Sequence, residues 1–327
     1  PANNRERIQK CTRPDVALAA WCKDDVIHYE SSSGGLAYKI ASVFIQSGGA
    51  VARIWFNPVR GIVEHRLYEF VDDFSLMQGS RYVQSDKTGI YRAVAEKLKE
   101  KAALFIGVPC EVYAMEQYWG GEQCKHKFLC IDILCHGGAS PQCMYEHISA
   151  VSFERKISNV TFRGGKYDCR LTVWGSNGKK LYSVGQFTDS YFLMFMKRAI
   201  YPNACYNCAF AGVERVGDLT LGDFWGINPE IEKQTCIRGI NMLFVNSQAG
   251  QDFISRIESD IVVVSRPVEE AVSGNDTLRG PTKKPTEYDE LWKDINQHGF
   301  HKAIKEVYGI SWVKTLLVCH TKSAKAK

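Results

Sequence analysis

The alternation of apolar and polar positions divides the chain into short strands and amphipathic helices. Ala102 to Ile106 is an apolar run closed by Gly107-Val108-Pro109 and reads as a buried strand. Pro109 suits a helix start, and Glu111 to Trp119 has helical composition before Gly120-Gly121 stops it. Phe128 to Leu134 is a second apolar run, ending at Cys135-His136-Gly137-Gly138. Strand, helix, strand in that order, with both strands buried on two faces, predicts a right-handed crossover and parallel pairing. Upstream, Leu36, Ile40, Val43 and Phe44 recur at helical spacing, Gly48-Gly49 ends that helix, and Ala50 to Phe56 reads as a strand. Ile90 to Glu100 and Asp189 to Ile200 predict further helices. Ile240 to Asn246, Gln248 to Ser259 and Ile261 to Val264 follow as strand, helix and strand. A polar linker from Gly274 then leads to helical segments at Tyr288 to Gln297 and His301 to Tyr308, with Lys322 to Lys327 a frayed end. The pattern as a whole predicts an α/β fold: a mixed or parallel sheet flanked by helices, with a smaller N-terminal α/β part and a helical C-terminal tail.

Composition narrows the classes. The 327 residues are 45% apolar and 24% charged, which is globular. A net charge of +5 with scattered Lys and Arg gives no support for a nucleic-acid partner, and no apolar run reaches the roughly 18 residues of a membrane span. The start at Pro1, without Met and without a signal-peptide layout, reads as a fragment or trimmed chain. Twelve cysteines with no export signal call for metal ligation, catalysis or core packing rather than disulfides, in a cytoplasmic protein.

Position separates those cysteines. Parallel pairing would put Cys110 and Cys135 at carboxyl ends of one sheet, within roughly 5–10 Å if the strands are neighbours, at the edge where open α/β sheets place ligands. Cys205 and Cys208 form a C-x-x-C in a polar loop, a spacing that lets both sulfurs face one metal. Together they make four candidate thiolates, the number that holds a four-iron cluster or a structural zinc; otherwise they are two buried cysteines and a separate zinc clip. Cys124 and Cys130 flank Lys125-His126-Lys127, but Cys130 falls in an apolar strand and reads as core. Cys11, Cys22, Cys143, Cys169, Cys236 and Cys319 have no ligand-like spacing.

Polar turns supply the other chemistry. Ser31-Ser32-Ser33-Gly34-Gly35 precedes a helix, where N–H groups and hydroxyls suit an anion such as a phosphate or simply cap the helix. Gly79, Ser80, Arg81, Tyr82, Gln84 and Ser85 form a second turn, in which Arg can bind phosphate and Tyr can stack on a planar ring, or which is plain surface loop. Phe162-Arg163-Gly164-Gly165-Lys166 offers two cations to an acidic ligand or to solvent. Trp225, in Gly222-Asp223-Phe224-Trp225-Gly226, is a ring-stacking wall or a core residue. No Gly-x-Gly-x-x-Gly or Walker loop occurs.

The serine-glycine turn, Gly79-Ser80-Arg81-Tyr82-Val83-Gln84-Ser85, Gly107-Val108-Pro109-Cys110, Cys135-His136-Gly137, Cys205-Tyr206-Asn207-Cys208, Gly222 to Gly226 and Arg238-Gly239-Ile240-Asn241 occur in that order. In this the chain resembles the coenzyme F420 hydrogenase/dehydrogenase beta-subunit family, from about Ala20 to beyond Tyr308. The resemblance implies an iron–sulfur flavoprotein oxidoreductase, in which a 4Fe-4S cluster passes single electrons to FAD and FAD exchanges a hydride with a second, small-molecule acceptor. That acceptor is a deazaflavin coenzyme in archaeal members and a chlorophyll precursor in relatives from phototrophs. It further implies Cys110, Cys135, Cys205 and Cys208 as cluster ligands, and Ser32, Ser33, Gly34, Gly35, Gly79, Ser80, Arg81, Tyr82, Gln84, Ser85 and Trp225 as flavin-binding residues. A redox partner is implied too, such as ferredoxin or a hydrogenase/dehydrogenase subunit. His136, beside a ligand candidate, is an option for orienting it or a structural turn histidine. The domain reading is a linker remnant over 1–15, a flavin-binding part over 16–85, a catalytic domain with the iron–sulfur cysteines over 86–268, and a linker with helical tail over 269–327. Two features depart from the family: no ferredoxin-type C-x-x-C-x-x-C-x-x-x-C-P repeat is present, and Gly164-Gly165 stands where relatives often carry an acidic residue. The competing class is a non-redox, zinc-stabilised binding protein that has lost the flavin.

Overall fold

The computed structural model describes residues 13–70, 79–120, 127–153, 155–163, 168–228, 230–231, 233 and 239–311. The sequence-selected positions Cys11, Cys124, Cys236, Cys319, Gly164, Gly165, Lys166 and Arg238, and both chain ends, lie outside these residues.

The strands run β1 (Ala17–Cys22), β2 (Ala50–Asn57), β3 (Ile62–Tyr68), β4 (Ala103–Gly107), β5 (Phe128–Ile133), β6 (Ile157–Arg163), β7 (Cys169–Gly175), β8 (Lys180–Gly185), β9 (Leu219–Asp223), β10 (Asn241–Val245) and β11 (Ile261–Arg266). Eight of them form a mixed sheet in the order β11-β1-β10-β9-β5-β4-β2-β3, and β6-β7-β8 form a small antiparallel sheet. The predicted parallel pair is present, with Gly107 of β4 opposite Asp132 of β5. β2 and β9 extend the parallel block on either side, while β3, β10, β1 and β11 add antiparallel partners.

The helices are α1 (Asp25–Glu30), α2 (Leu36–Gln46), α3 (Ile90–Leu98), α4 (Pro109–Trp119), α5 (Pro141–Ser152), α6 (Ser190–Met196), α7 (Gln248–Arg256), α8 (Val268–Gly274), α9 (Tyr288–His298) and α10 (Phe300–Tyr308). Strand alternation explains the layers. Leu104 and Ile106 of β4 pack with Leu36 and Ile40 of α2 on one face. Ala103 and Phe105 pack with Val94 of α3 and Val112 and Met115 of α4 on the other. A strand covered on both faces must be apolar at every position, which is why β4 reads as an unbroken run. A third cluster, rich in aromatic rings, joins the small sheet to α5, α6, α9 and α10.

Three features differ from the sequence reading. The predicted helix from Asp189 to Ile200 ends at Met196, because Arg198 adopts a left-handed backbone (φ 61°) that a helix cannot contain. β1 and α5 were not anticipated. β1 is a six-residue run dominated by small alanines, and its place comes from pairing with β10 and β11 rather than from local pattern. The strands of the expected part 16–85 share the large sheet with β4, β5, β9, β10 and β11 of 86–268: β1 lies between β10 and β11, and β2 lies beside β4.

Candidate functional site

The carboxyl ends of β4, β5 and β9 and the start of β10 form one edge of the large sheet, and a cavity of about 530 Å³ opens along it. The opposite wall is Arg163 at the end of β6, Cys169 at the start of β7, and Phe192, Phe195 and Met196 of α6. The volume is within the roughly 300–1,000 Å³ of cofactor and small-molecule sites.

Ser31, Ser32, Ser33 and Gly35 line this cavity. The serines are ties as much as ligand groups. Ser31 Oγ donates to Ile27 O of α1 at 2.6 Å, and Ser33 Oγ donates to Ile240 O at 3.0 Å. Ser32 Oγ accepts from Ser80 N–H at 3.0 Å, which joins the two polar turns and leaves its own proton available. Gly34 is behind the cavity wall: a Cβ there would stand 2.5 Å from Ala20 O and 2.9 Å from Asn241 N, so only glycine lets the turn lie between β1 and β10. Asn241 Oδ1 accepts from Leu36 N–H at 3.1 Å and fixes the start of α2.

From the second turn, Gly79, Ser80, Arg81 and Tyr82 line the cavity. Tyr82 packs against Phe195, Phe192 and Phe162 with ring centroids 4.8 to 5.6 Å away. Its hydroxyl accepts from Arg163 Nε at 2.8 Å. Arg163 also reaches Ser32 O at 3.3 Å and Asp223 at 2.8 Å, so one side chain ties the small sheet to both polar edges of the large one. Gln84 and Ser85 are not part of the cavity lining. Gln84 lies against Gly138, and Ser85 belongs to a buried polar cluster behind β4. There its hydroxyl meets His65 Nδ1 and Glu111 Oε1, each at 3.0 Å, and Lys87 Nζ donates to the same carboxylate at 2.9 Å. Glu111 also accepts from Val108 N–H at 3.0 Å, capping α4 directly beside Cys110.

The four cysteines come from three separate segments. Cys110 is in the first turn of α4, Cys135 follows β5, Cys205 lies within a 3-10 turn over Asn203–Asn207, and Cys208 is the residue that ends it. Cys110 is exposed and the other three are half-buried. The bulk of protein around Cys110, then the charges of Glu111, Cys208 and Cys205, push its thiol up to about 12. Burial moves Cys135 far above the ordinary thiol range, opposed by the Gly137 N–H and reinforced by Cys110 and Cys205. Cys110 and Cys135 therefore stay protonated as thiols at neutral pH. Among the described residues no group of three or more His, Cys, Asp or Glu side chains stands gathered at metal-ligand spacing. As a donor set, four soft sulfurs match an iron–sulfur cluster or zinc, whose binding would displace the protons.

The C-x-x-C loop is anchored from behind. Arg215, 2% exposed, pairs with the fully buried Asp132 of β5 and donates to Gly212 O at 3.2 Å. Asp132 Oδ2 also accepts from Gly217 N–H at 2.8 Å.

Trp225, 47% exposed, lines the same cavity as Cys135 and is not a core residue. His136 lines it as well. Tyr201 OH donates to Phe195 O at 2.9 Å, so it accepts from His136 Nδ1–H at 3.0 Å and leaves Nε2 as an acceptor. Burial, then Arg198, lower the His136 pKa, keeping the ring neutral. Sequence reasoning missed Arg53, Arg198, Asn241 and the segment Gly274 to Thr277, all of which line the cavity. Arg53 left a signal, a lone cation inside the apolar run Ala50 to Phe56.

A mixed α/β sheet with a cofactor-sized cavity at its carboxyl edge, lined there by Cys135, defines the class. Residues 100–271 match the family model for the C terminus of the coenzyme F420 hydrogenase/dehydrogenase beta subunit, and the chain belongs to that family of redox proteins. Among solved structures it is similar to a chain from the F420-reducing [NiFe] hydrogenase complex of Methanosarcina barkeri, at 14% identity and TM-score 0.54. That match covers 87% of this chain and 92% of the other. At this identity the similarity is one of fold. No curated protein matches. No described helix is long and apolar enough to cross a membrane.

Proposed function

We propose that this chain is an iron–sulfur flavoprotein oxidoreductase subunit, with FAD in the cavity and a 4Fe-4S cluster on Cys110, Cys135, Cys205 and Cys208. The observation that carries the reading is Cys135, which lines the cavity and is near enough to Cys110 and Cys205 for their charges to act on its thiol. When bound, the flavin supplies hydride exchange and the cluster one-electron transfer. The residues supply position and environment. The two polar turns and Arg163 hold the cavity walls together, Trp225 offers a half-exposed ring to a planar group, and Tyr82 and Phe195, stacked on each other, add aromatic lining. The neutral His136 Nε2 can accept a hydrogen bond from a bound group. Electrons come from a redox partner, a ferredoxin or a hydrogenase/dehydrogenase subunit, for which exposed Cys110 marks the point of approach. The acceptor is a small molecule, F420-like or another two-electron carrier.

Anaerobic purification followed by absorbance, flavin release and metal analysis tests this. The expected result is bound FAD and about four irons per chain. Colourless protein containing zinc would overturn it and leave the zinc-stabilised, non-redox reading.

A further inference from the structure

One wall of the cavity contains a cation that no carboxylate balances among the described residues. Arg53 projects from β2, Nη1 is shut off from solvent, and it has no hydrogen-bond partner. No ion pair to Arg53 occurs among the described residues. Its cross-strand neighbour on β3 is another cation, Arg66. A second cavity-lining guanidinium, Arg81, is 8% exposed and close enough for the two charges to repel. Burial pulls Arg53 down to about 10; burial and then Arg53 do the same to Arg81. Both remain cationic at neutral pH. Enclosing the Arg53 charge beside another cation is unfavourable, and an anion bound to Arg53 lessens the penalty.

The surroundings suit an anion of some length. Gly79 brings the backbone beside Arg81, where a Cβ would stand 3.2 Å from Arg81 Nη1 and 3.8 Å from Ser32 Oγ. The first turn of the eleven-residue α2 lines the cavity from Leu36 to Tyr38; Asn241 Oδ1 takes the Leu36 N–H, and the cap, Gly35, has no side chain to stand between the helix start and a ligand. Guanidiniums on separate elements can each grip one phosphate through paired N–H donors, while the helix start adds partial positive charge.

We propose that the part of the cavity between Arg53, Arg81, Ser32 and the first turn of α2 is a diphosphate subsite, and that Arg53 is its central recognition group. The diphosphate belongs to a dinucleotide cofactor or to a nucleoside-diphosphate substrate. Only the first source rests on the flavin reading above.

Calorimetric titration of the 327-residue apo-protein with inorganic pyrophosphate, inorganic phosphate, ADP, riboflavin and FAD tests it, in the wild type, Arg53→Met and Arg60→Met. Arg60 is half-exposed and pairs with Glu64 and Asp86 away from the cavity lining. Pyrophosphate and ADP should bind the wild type and Arg60→Met equally and bind Arg53→Met about tenfold or more weakly. Apo Arg53→Met should melt no lower than wild type, since it removes a half-buried charge whose enclosed Nη1 has no partner; this separates lost recognition from lost folding. Equal pyrophosphate affinity with and without Arg53, or phosphate binding as tightly as pyrophosphate, overturns the subsite. The flavin arms distinguish the two readings. If FAD binds equally to wild type and Arg53→Met, the subsite falls and the flavin reading stands. If pyrophosphate binds through Arg53 while riboflavin and FAD do not bind, the subsite stands, its source is a phosphorylated substrate, and the flavin reading falls.

Discussion

At the scale of single residues, charge pairing decides what the site can tolerate. Asp132 and Arg215 are both sealed from solvent, and their pairing links β5 to the loop that carries Cys205 and Cys208. Asp132→Ala would leave Arg215 buried without a counter-ion, at a cost of about 3–5 kcal/mol. The expected outcome is a lower urea midpoint at unchanged m-value, together with weaker metal retention by the C-x-x-C loop. A midpoint within error of wild type would show that Arg215 finds another anion. Arg53 makes the contrasting case within the same sheet, a half-buried guanidinium whose enclosed Nη1 meets no partner and which no carboxylate among the described residues balances. It was visible in the sequence as one charge in an apolar run. Its lack of a partner was not, because pairing depends on which side chains other strands bring within reach.

At the scale of elements, α10 depends on protonation state. His301 on this helix lies 2.9 Å from His147 of α5, whose other nitrogen is 2.8 Å from Asp189, the N-cap of α6. Burial and then His147 hold His301 down to about 3, well below the ordinary histidine value. The unfolded chain therefore takes up a proton that the folded chain refuses, and stability falls as pH drops from about 6.5 toward about 3. Amide hydrogen exchange in α10 is expected to show less protection at pH 5 than at pH 7, after correction for intrinsic rates, and His301→Gln to flatten the difference. Protection independent of pH in the wild type would refute the coupling. The helix itself was legible from apolar spacing near His301 to Tyr308; its docking surface on α5 was not, since α5 escaped the pattern reading.

At the scale of the whole molecule, the interleaving of β1 matters most. Residues 16–85 contribute β1 between β10 and β11, and β2 and β3 at the far end of the same sheet. Expressed alone, 16–85 would lose both neighbours of β1 and the β4 partner of β2, leaving a two-stranded ribbon that is marginal in water. Circular dichroism of that fragment is expected to show no cooperative thermal transition, whereas the intact chain unfolds through the shared sheet as a unit. A fragment that melts cooperatively would establish 16–85 as an independent domain.

The sequence by itself determined the central strands, the crossover from β4 through α4 to β5, the cysteine segments and the polar turns. These follow from local periodicity, helix and strand punctuation, and motif order, all of which act over a few residues. Only the tertiary structure decided which of those residues meet. It put Ser32, Gly79, Arg81, Tyr82, Trp225 and Cys135 on one cavity, set Gln84 and Ser85 apart from it, made Gly34 a spacer behind it, and brought in Arg53, Arg198 and Asn241. The physical reason is that contacts across a sheet edge join residues 207 positions apart, as Ser33 and Ile240 show. Such pairings are set by strand order and by the burial of whole faces, and neither is encoded in the pattern of any one segment.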